Sequence, residues 1–481
     1  MCGAASARGS EARGLAVSPA LVAAGNEGRM SASAGKSEPW MEIEIRQVLD
    51  SLLREFPSPL GPEDPLPMQL ESALLSWEEV EGESVDMGLK LLQDRNLPPV
   101  FAAALMHTAI THMQQLDISV LTNKKEPDEN EEQLVLLDGE LVARTVFNKL
   151  LEVCCDWIKE PQLLQVPKRY LKVSSHAIRN TRRKMEDRHV ALPEFNALFG
   201  IEDEKERAYF AVFDGHGGVD AAVYAATHLH VILAHREEFS AQPAEALRRA
   251  FKQTDEMFLE RAERKKLRSG TTGVTALIAG NTLHVAWLGD SQVMMVRQGQ
   301  VVTLMDPHKP EKEDEKQRIE ELGGCVIFLG CWRVNGTLAV SRAIGDIEQK
   351  PYISGDADCS TFELDGREDY IILACDGFFD GVEPSKVVHL VQEHLQKNAG
   401  DGSSVAETLV TAAKEGGSSD NITVVLVFLR DPQIILKDSQ SKAGNENAGL
   451  DNKCSEAKGR SEAIPPQSSE DKDNQTKDVA C

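Results

Sequence analysis

Six short apolar runs between residues 209 and 428 limit the chain's fold more than any other feature. They are Tyr209–Phe213, Thr275–Ala279, Thr282–Leu288, Val293–Val296, Tyr370–Ala374 and Ile422–Phe428, all rich in β-branched and aromatic residues. That length and composition predict strands. Gly280-Asn281 between two of the runs is a two-residue hairpin turn, so those strands pair antiparallel. Helical patterns over Val219–Leu233, Ala244–Ala262, Asp314–Leu322, Pro384–Leu395 and Ser404–Lys414 come in consecutive groups. Alternating βαβ winding is therefore not the pattern, and an α+β domain of packed antiparallel sheets with flanking helices is expected.

The first third of the chain has a different rhythm. Apolar residues recur at three- and four-residue spacings at Ile43, Ile45, Val48, Leu49, Leu52 and Leu53, and again at Met87, Leu89, Leu91 and Leu92. Two further sets run from Val100 to Met113 and from Leu141 to Val153. Proline-rich breaks at Pro57–Pro67 and Pro98-Pro99 and the acidic run Glu126–Glu132 separate them. This predicts a small helical region over residues 38–160, ahead of a domain over 165–430. Residues 1–37 and the tail 431–481 are too poor in apolar groups to offset their chain entropy and are expected to be disordered.

Charge and cysteines bound the function. The net charge of -25 disfavours a broad nucleic-acid or membrane surface. Residues 41–160 hold 9 bases against 24 acids, a net of -15, so the acidity is concentrated in the helical region. The nine cysteines form no CxxC pair, which suits a reducing compartment. No run approaches the roughly 18 apolar residues of a membrane span. A cytoplasmic location is expected, with access to the nucleus left open. The weak apolar stretch Leu15–Ala24 is interrupted by Ser18-Pro19 and does not read as a targeting signal.

The chemistry lies where acids end the apolar runs. Phe210–Phe213 leads into Asp214-Gly215-His216-Gly217-Gly218, and Ile371–Cys375 leads into Asp376-Gly377-Phe378-Phe379-Asp380. Asp290 follows Leu288-Gly289, Asp420 precedes Ile422, and Glu186-Asp187 adds two adjacent carboxylates. One such acid is a turn or cap residue. Five sites in one domain point further, because apposed carboxylates raise one another's pKa unless a cation neutralises them. Oxygen donors without a matching Cys/His set suit Mg²⁺ or Mn²⁺.

These motifs, with Arg182–Asp187, Ser269–Thr272, Gly289–Ser291, Asn335–Asp346 and Asp420-Asn421, resemble in order those of the protein phosphatase 2C family over roughly residues 170–430. The resemblance implies two central antiparallel β-sheets packed as a sandwich with flanking helices, and a metal-dependent protein serine/threonine phosphatase. It implies that Asp214 bridges two Mg²⁺ or Mn²⁺ ions, with Asp376 and Asp420 completing one site. The Gly215 carbonyl and Glu186 would serve the other, and Asp187 would orient the bound waters. Asp290 and Asp380 match positions of a weaker third ion, against a capping or turn role. Arg182 matches the phosphate-binding arginine, and His216 the general acid that protonates the leaving oxygen. Arg333 and Asn335 are read either as cleft residues or as structural ones.

Glu63–Pro67, Trp77–Glu83 and Ile178–His189 resemble the calmodulin-dependent-kinase phosphatase, or partner-of-PIX, branch. That resemblance implies autophosphorylated calmodulin-dependent and PAK-type kinases as substrates and PIX-type exchange factors as partners. A non-catalytic scaffold binding through the acidic region is the competing class, and the complete set Asp214, Asp376 and Asp420 argues against it. Departures from the family pattern are Gln292, Asp306-Pro307-His308 and Thr272-Gly273, none at a primary ligand. Pro62–Pro65 matches PxxP, but its central acids argue against an SH3 ligand. Arg261–Arg268 reads as a solvated helix end rather than a nuclear signal. Cys375, buried before Asp376, is read as a core residue, not a nucleophile.

Overall fold

The computed structural model describes residues 39–68, 70, 72–117, 121–122, 136–160 and 168–441. The expectations for 1–37, for the acidic run 126–132 and for 442–481 lie outside the described residues. Four helices come first: α1 Pro39–Glu55, α2 Trp77–Asp94, α3 Pro99–Gln114 and α4 Gly139–Lys159. Each carries one of the periodic apolar sets, and together they bury a core of their own that includes Leu49, Leu92, Leu105, Phe147 and Leu150. Local chemistry fixes their starts. Asp138 accepts the N–H groups of Glu140 and Leu141 at the head of α4, and Pro99 opens α3.

The rest of the chain supplies strands β1 Lys172–Ile178, β2 Arg188–Leu192 and β3 Arg207–Phe213, then β4 Gly273–Ala279, β5 Thr282–Leu288, β6 Gln292–Arg297 and β7 Gln300–Thr303. Strands β8 Asp358–Glu363, β9 Glu368–Ala374 and β10 Ile422–Phe428 complete the set. They form two five-stranded antiparallel sheets, ordered β8-β5-β4-β3-β2 and β7-β6-β9-β10-β1. The sheets pack face to face through Phe210, Val212, Val274, Val285, Ile371, Leu373, Val425 and their neighbours. The outer face of the first sheet, with Tyr209, Ala211 and Phe213, is covered by α6 Asp220–Ala234 and α7 Pro243–Lys265, the next long helices after the short α5 Phe195–Phe199. After α8 Glu313–Glu321 and the short α9 Asp376–Phe379, α10 Pro384–Lys397 and α11 Val405–Glu415 cover the second sheet through Ile372, Val424 and Leu426. Both faces of the inner strands are thus buried, so they read as unbroken apolar runs.

Two expectations change. The tail does not begin at 431: residues 432–441 are helical, Ile435 is buried in the core beneath α10 and α11, and Arg430 pairs with Asp438. The basic run Arg261–Arg268 is not simply a solvated helix end either. Arg261 is buried in α7 and pairs with Glu79 at 3.2 Å and Glu83 at 3.4 Å from α2, while Lys265 donates to Ser72. Glu79 also accepts the Ser76 N–H at the head of α2, so one carboxylate caps the helix and docks it. The helical region is therefore packed onto α6 and α7, and three of its acids belong to the joint: Glu79 and Glu83 on Arg261, and Glu81, which pairs with His235 at 2.9 Å at the end of α6.

Removing the cation from this joint leaves two buried carboxylates facing each other. Arg261→Ala is expected to cost about 3 kcal/mol of stability, measured by chemical denaturation, and a loss below about 1 kcal/mol would contradict the joint's importance.

Candidate active site

Antiparallel pairing sets the acids at one end of the sandwich. The end of β3 lies beside the start of β2, with Phe213 opposite Arg188; the end of β9 lies beside the start of β10, with Ala374 opposite Val424. Asp214 and Asp376 leave the first strand of each pair, while Asp187 and Asp420 precede the second. Asp290 leaves β5 next to the start of β6, where Gln292 pairs with Ala374. A cleft of about 650 Å³ opens there, lined by Arg182, Glu186, Asp214, Gly215, His216, Asp290, Asp376 and Asp420 among others.

Two expected residues do not line it. Asp187 is buried beneath, its Oδ2 accepting from the Thr423 hydroxyl at 2.7 Å. Asp380 is exposed at the end of α9, where its N–H donates to the Asp376 carbonyl, and it reaches the site only as a charge that lifts Asp376. Glycine after each principal acid allows the loops to close. A Cβ at Gly377 would stand 2.1 Å from the Asn421 carbonyl oxygen, and one at Gly215 would stand 2.5 Å from that of Glu186. Asn421, which had no assigned role, staples the basic loop: its Oδ1 accepts the Glu186 N–H, and its Nδ2 donates to the carbonyls of Arg179 and Lys184.

The electrostatics are those of anions held together. Burial first, then repulsion from Asp376, Asp187 and Asp290, pushes Asp214 well above the usual carboxylate range. Burial pushes Asp290 up to about 7, with Asp376 adding to it, and Asp187 up to about 6. Asp376 is raised by burial and by Asp420 and Asp380. Burial of the His216 ring pushes its pKa down, but Asp346 first, then Asp290 and Glu186, outweigh that and leave it above the usual value. Burial holds the Cys375 thiol protonated, in keeping with a core residue. Arg182 forms an ion pair with Asp420 at the mouth, and Arg183 and Lys184 share its rim.

The donor set fits a hard cation. All the cleft acids offer oxygen, and Oδ1 of both Asp187 and Asp376 is buried without a hydrogen-bond partner among the described residues. Among the described residues, no three His, Cys, Asp or Glu side chains are drawn into a closed cage. The acids line an open cleft instead.

The remaining motif residues divide. Arg333 lines the cleft and donates to the Thr337 carbonyl, whereas Asn335 is structural: its Oδ1 accepts the Cys325 N–H. His308 exchanges hydrogen bonds with Gly289 and contacts Asp358, clamping the turn that carries Asp290. The displaced acid before it, Asp306, pairs with Lys312 instead.

Residues 171–422 match the family described as Protein phosphatase 2C. The chain belongs to that family. Human Protein phosphatase 1F is 55% identical over 429 residues, covering 87% of this chain and 92% of its own length. Human Protein phosphatase 1E is 56% identical over 389 residues, covering 81% of this chain and 51% of its own. These alignments are longer than the family match, so they extend beyond the sandwich, and they bear out the branch expected from the N-terminal motifs. The fold recurs in a solved structure titled "Structure of a C.elegans sex determining protein", with a TM-score of 0.63 and 22% identity over 84% of this chain and 97% of that one. Membership makes the chain a protein serine/threonine phosphatase, in a family that generally depends on Mg²⁺ or Mn²⁺. No helix among the described residues is long and apolar enough to cross a membrane.

The raised carboxyls predict a pH effect in chelator-treated protein. A group whose folded pKa exceeds its unfolded value stabilises the fold below the unfolded value and loses that contribution as pH rises through the folded one. For Asp290 the window runs from 3.8 to about 7. Asp290→Asn should therefore flatten the fall in Tm between about pH 4 and about pH 7, and an unchanged slope would contradict the assignment.

Proposed function

We propose that the chain hydrolyses phosphoserine and phosphothreonine in proteins with two divalent cations held by Asp214, Asp376, Asp420, Glu186 and the Gly215 carbonyl. The observation that carries this reading is the convergence of raised, partly unpartnered carboxylates from both sheets on one basic-rimmed cleft. Mg²⁺ or Mn²⁺ bound there supplies charge neutralisation and water activation. The chain's own residues supply the rest. Arg182, paired here with Asp420 at the cleft mouth, would present its guanidinium fork to the phosphoryl oxygens. Asp187, fixed by Thr423, offers its free Oδ1 to a water. His216 gives its proton to the serine or threonine oxygen as the P–O bond breaks. A third, weaker ion would rest on Asp290 and Asp376, with Asp380 acting through its charge from outside the cleft.

Autophosphorylated calmodulin-dependent and PAK-type kinases are the proposed substrates, and PIX-type exchange factors the proposed partners. Support comes from the N-terminal motifs and from an alignment to relatives that runs beyond the sandwich. A cytoplasmic setting suits such substrates.

Phosphothreonine-peptide hydrolysis with and without Mn²⁺ tests the activity. Turnover should require the metal, and Asp376→Asn should lower kcat by about a hundredfold or more. Metal-independent turnover, or full activity in the variant, contradicts the assignment. A folded wild type without turnover would favour the scaffold.

A further inference from the structure

His216 does not stand alone in the cleft wall. Three short strands form a ribbon in which Gly215-His216 pairs with Gly270-Thr271, and Gly270-Thr271 pairs in turn with Ile344-Gly345. The residue after this last strand, Asp346, is buried, and its Oδ2 lies 2.8 Å from His216 Nε2. Gly270 sits between them in register. A Cβ there would stand 2.1 Å from Asp346 Oδ2 and 2.5 Å from His216 Nε2, so only glycine lets the carboxylate and the ring meet.

The carboxylate is itself held. Asp346 has φ 52°, in the left-handed region, which a non-glycine residue keeps when its surroundings over-determine it. Its N–H donates to the Ser269 carbonyl. The preceding Gly345 N–H donates at 2.7 Å to Asp255, a buried residue of α7 whose second oxygen accepts from Lys350 at 2.7 Å. A helix of the outer layer thus fixes the turn that carries Asp346.

Resting on the phosphatase reading above, we propose that Asp346 is a positioning residue that orients the His216 imidazole for proton delivery. A carboxylate accepts, so Nε2 carries the hydrogen it shares with Asp346, and Nδ1 is the nitrogen free to serve the substrate. In the reaction the attacking water oxygen bonds to phosphorus and the bond from phosphorus to the seryl or threonyl oxygen breaks. That oxygen takes the Nδ1 proton, and the neutral ring stays on Asp346 through Nε2–H. Solvent then restores the Nδ1 proton.

Leaving-group dependence separates positioning from general support of the fold. p-Nitrophenyl phosphate releases a stable anion and needs little proton donation, whereas phenyl phosphate needs it. In the Mn²⁺-loaded full chain, Asp346→Asn should lower kcat on phenyl phosphate about tenfold or more and on p-nitrophenyl phosphate less than about threefold, with KM little changed. Gly270→Ala, which alters no charge, should reproduce that split; if it does not accumulate as folded protein, Asp346→Asn decides alone. In chelator-treated protein, ¹⁵N-histidine NMR, with His216 assigned by His216→Gln, should show hydrogen on Nε2 in the wild type and a tautomer mixture in Asp346→Asn. Equal losses on both esters, no loss, or a wild-type ring carrying hydrogen on Nδ1 alone overturns the proposal. A wild type that hydrolyses neither ester with Mn²⁺ removes the phosphatase reading, and the proposal with it.

Discussion

The constraint on which the rest depends is the burial of like charges at one end of a sandwich. Antiparallel order puts the end of one strand beside the start of the next, so Asp214, Asp187, Asp376, Asp420 and Asp290 converge without any long excursion of the chain. Left as anions they would repel and lose hydration together. The fold tolerates them because the cores above and below, between the sheets and under the two helix pairs, fix the strands from which they project. On the reading proposed above, a cation arriving among these acids would relieve their repulsion, and that relief would favour its binding.

The helical region enters the same framework from outside. It docks α2 on α6 and α7 through the buried Arg261 joint. Those two helices also carry the site's surroundings: α6 follows the His216 loop, and α7 holds Asp255 and leads into the ribbon at Gly270. The joint is thus mechanically continuous with the wall of the cleft. Glu79 and Glu83 account for two of the region's acids.

How much of this was legible depended on burial. The six strands read from apolar runs are the six inner strands of the two sheets. The four left unread, Lys172–Ile178, Arg188–Leu192, Gln300–Thr303 and Asp358–Glu363, are the four edges. An edge strand meets solvent along one side, so it carries residues such as Lys172, Ser175 and Gln300 that break the pattern. The helices of the sandwich domain flagged by periodicity were read to within a few residues because that periodicity reports one buried face, whereas α2, read only from Met87, begins at Trp77. At the site, acids ending apolar runs were visible, and the cleft gathers most of them. Asp346 was quoted only as part of a motif, because its role depends on a ribbon of two-residue strands that no local pattern announces. Arg261 was misread for a similar reason: a charged residue in a basic run gives no sign that two acids from 178 and 182 residues away will meet it.

The central claim is that this buried acid set is built to hold divalent cations. Calorimetric titration of Mn²⁺ into the full chain and into Asp214→Asn tests it without any substrate. The account predicts saturable binding to the wild type and a loss of affinity of about a hundredfold in the variant, because Asp214 stands among Asp376, Asp187 and Asp290. Equal affinity in the two proteins, or no binding to the folded wild type, would contradict it.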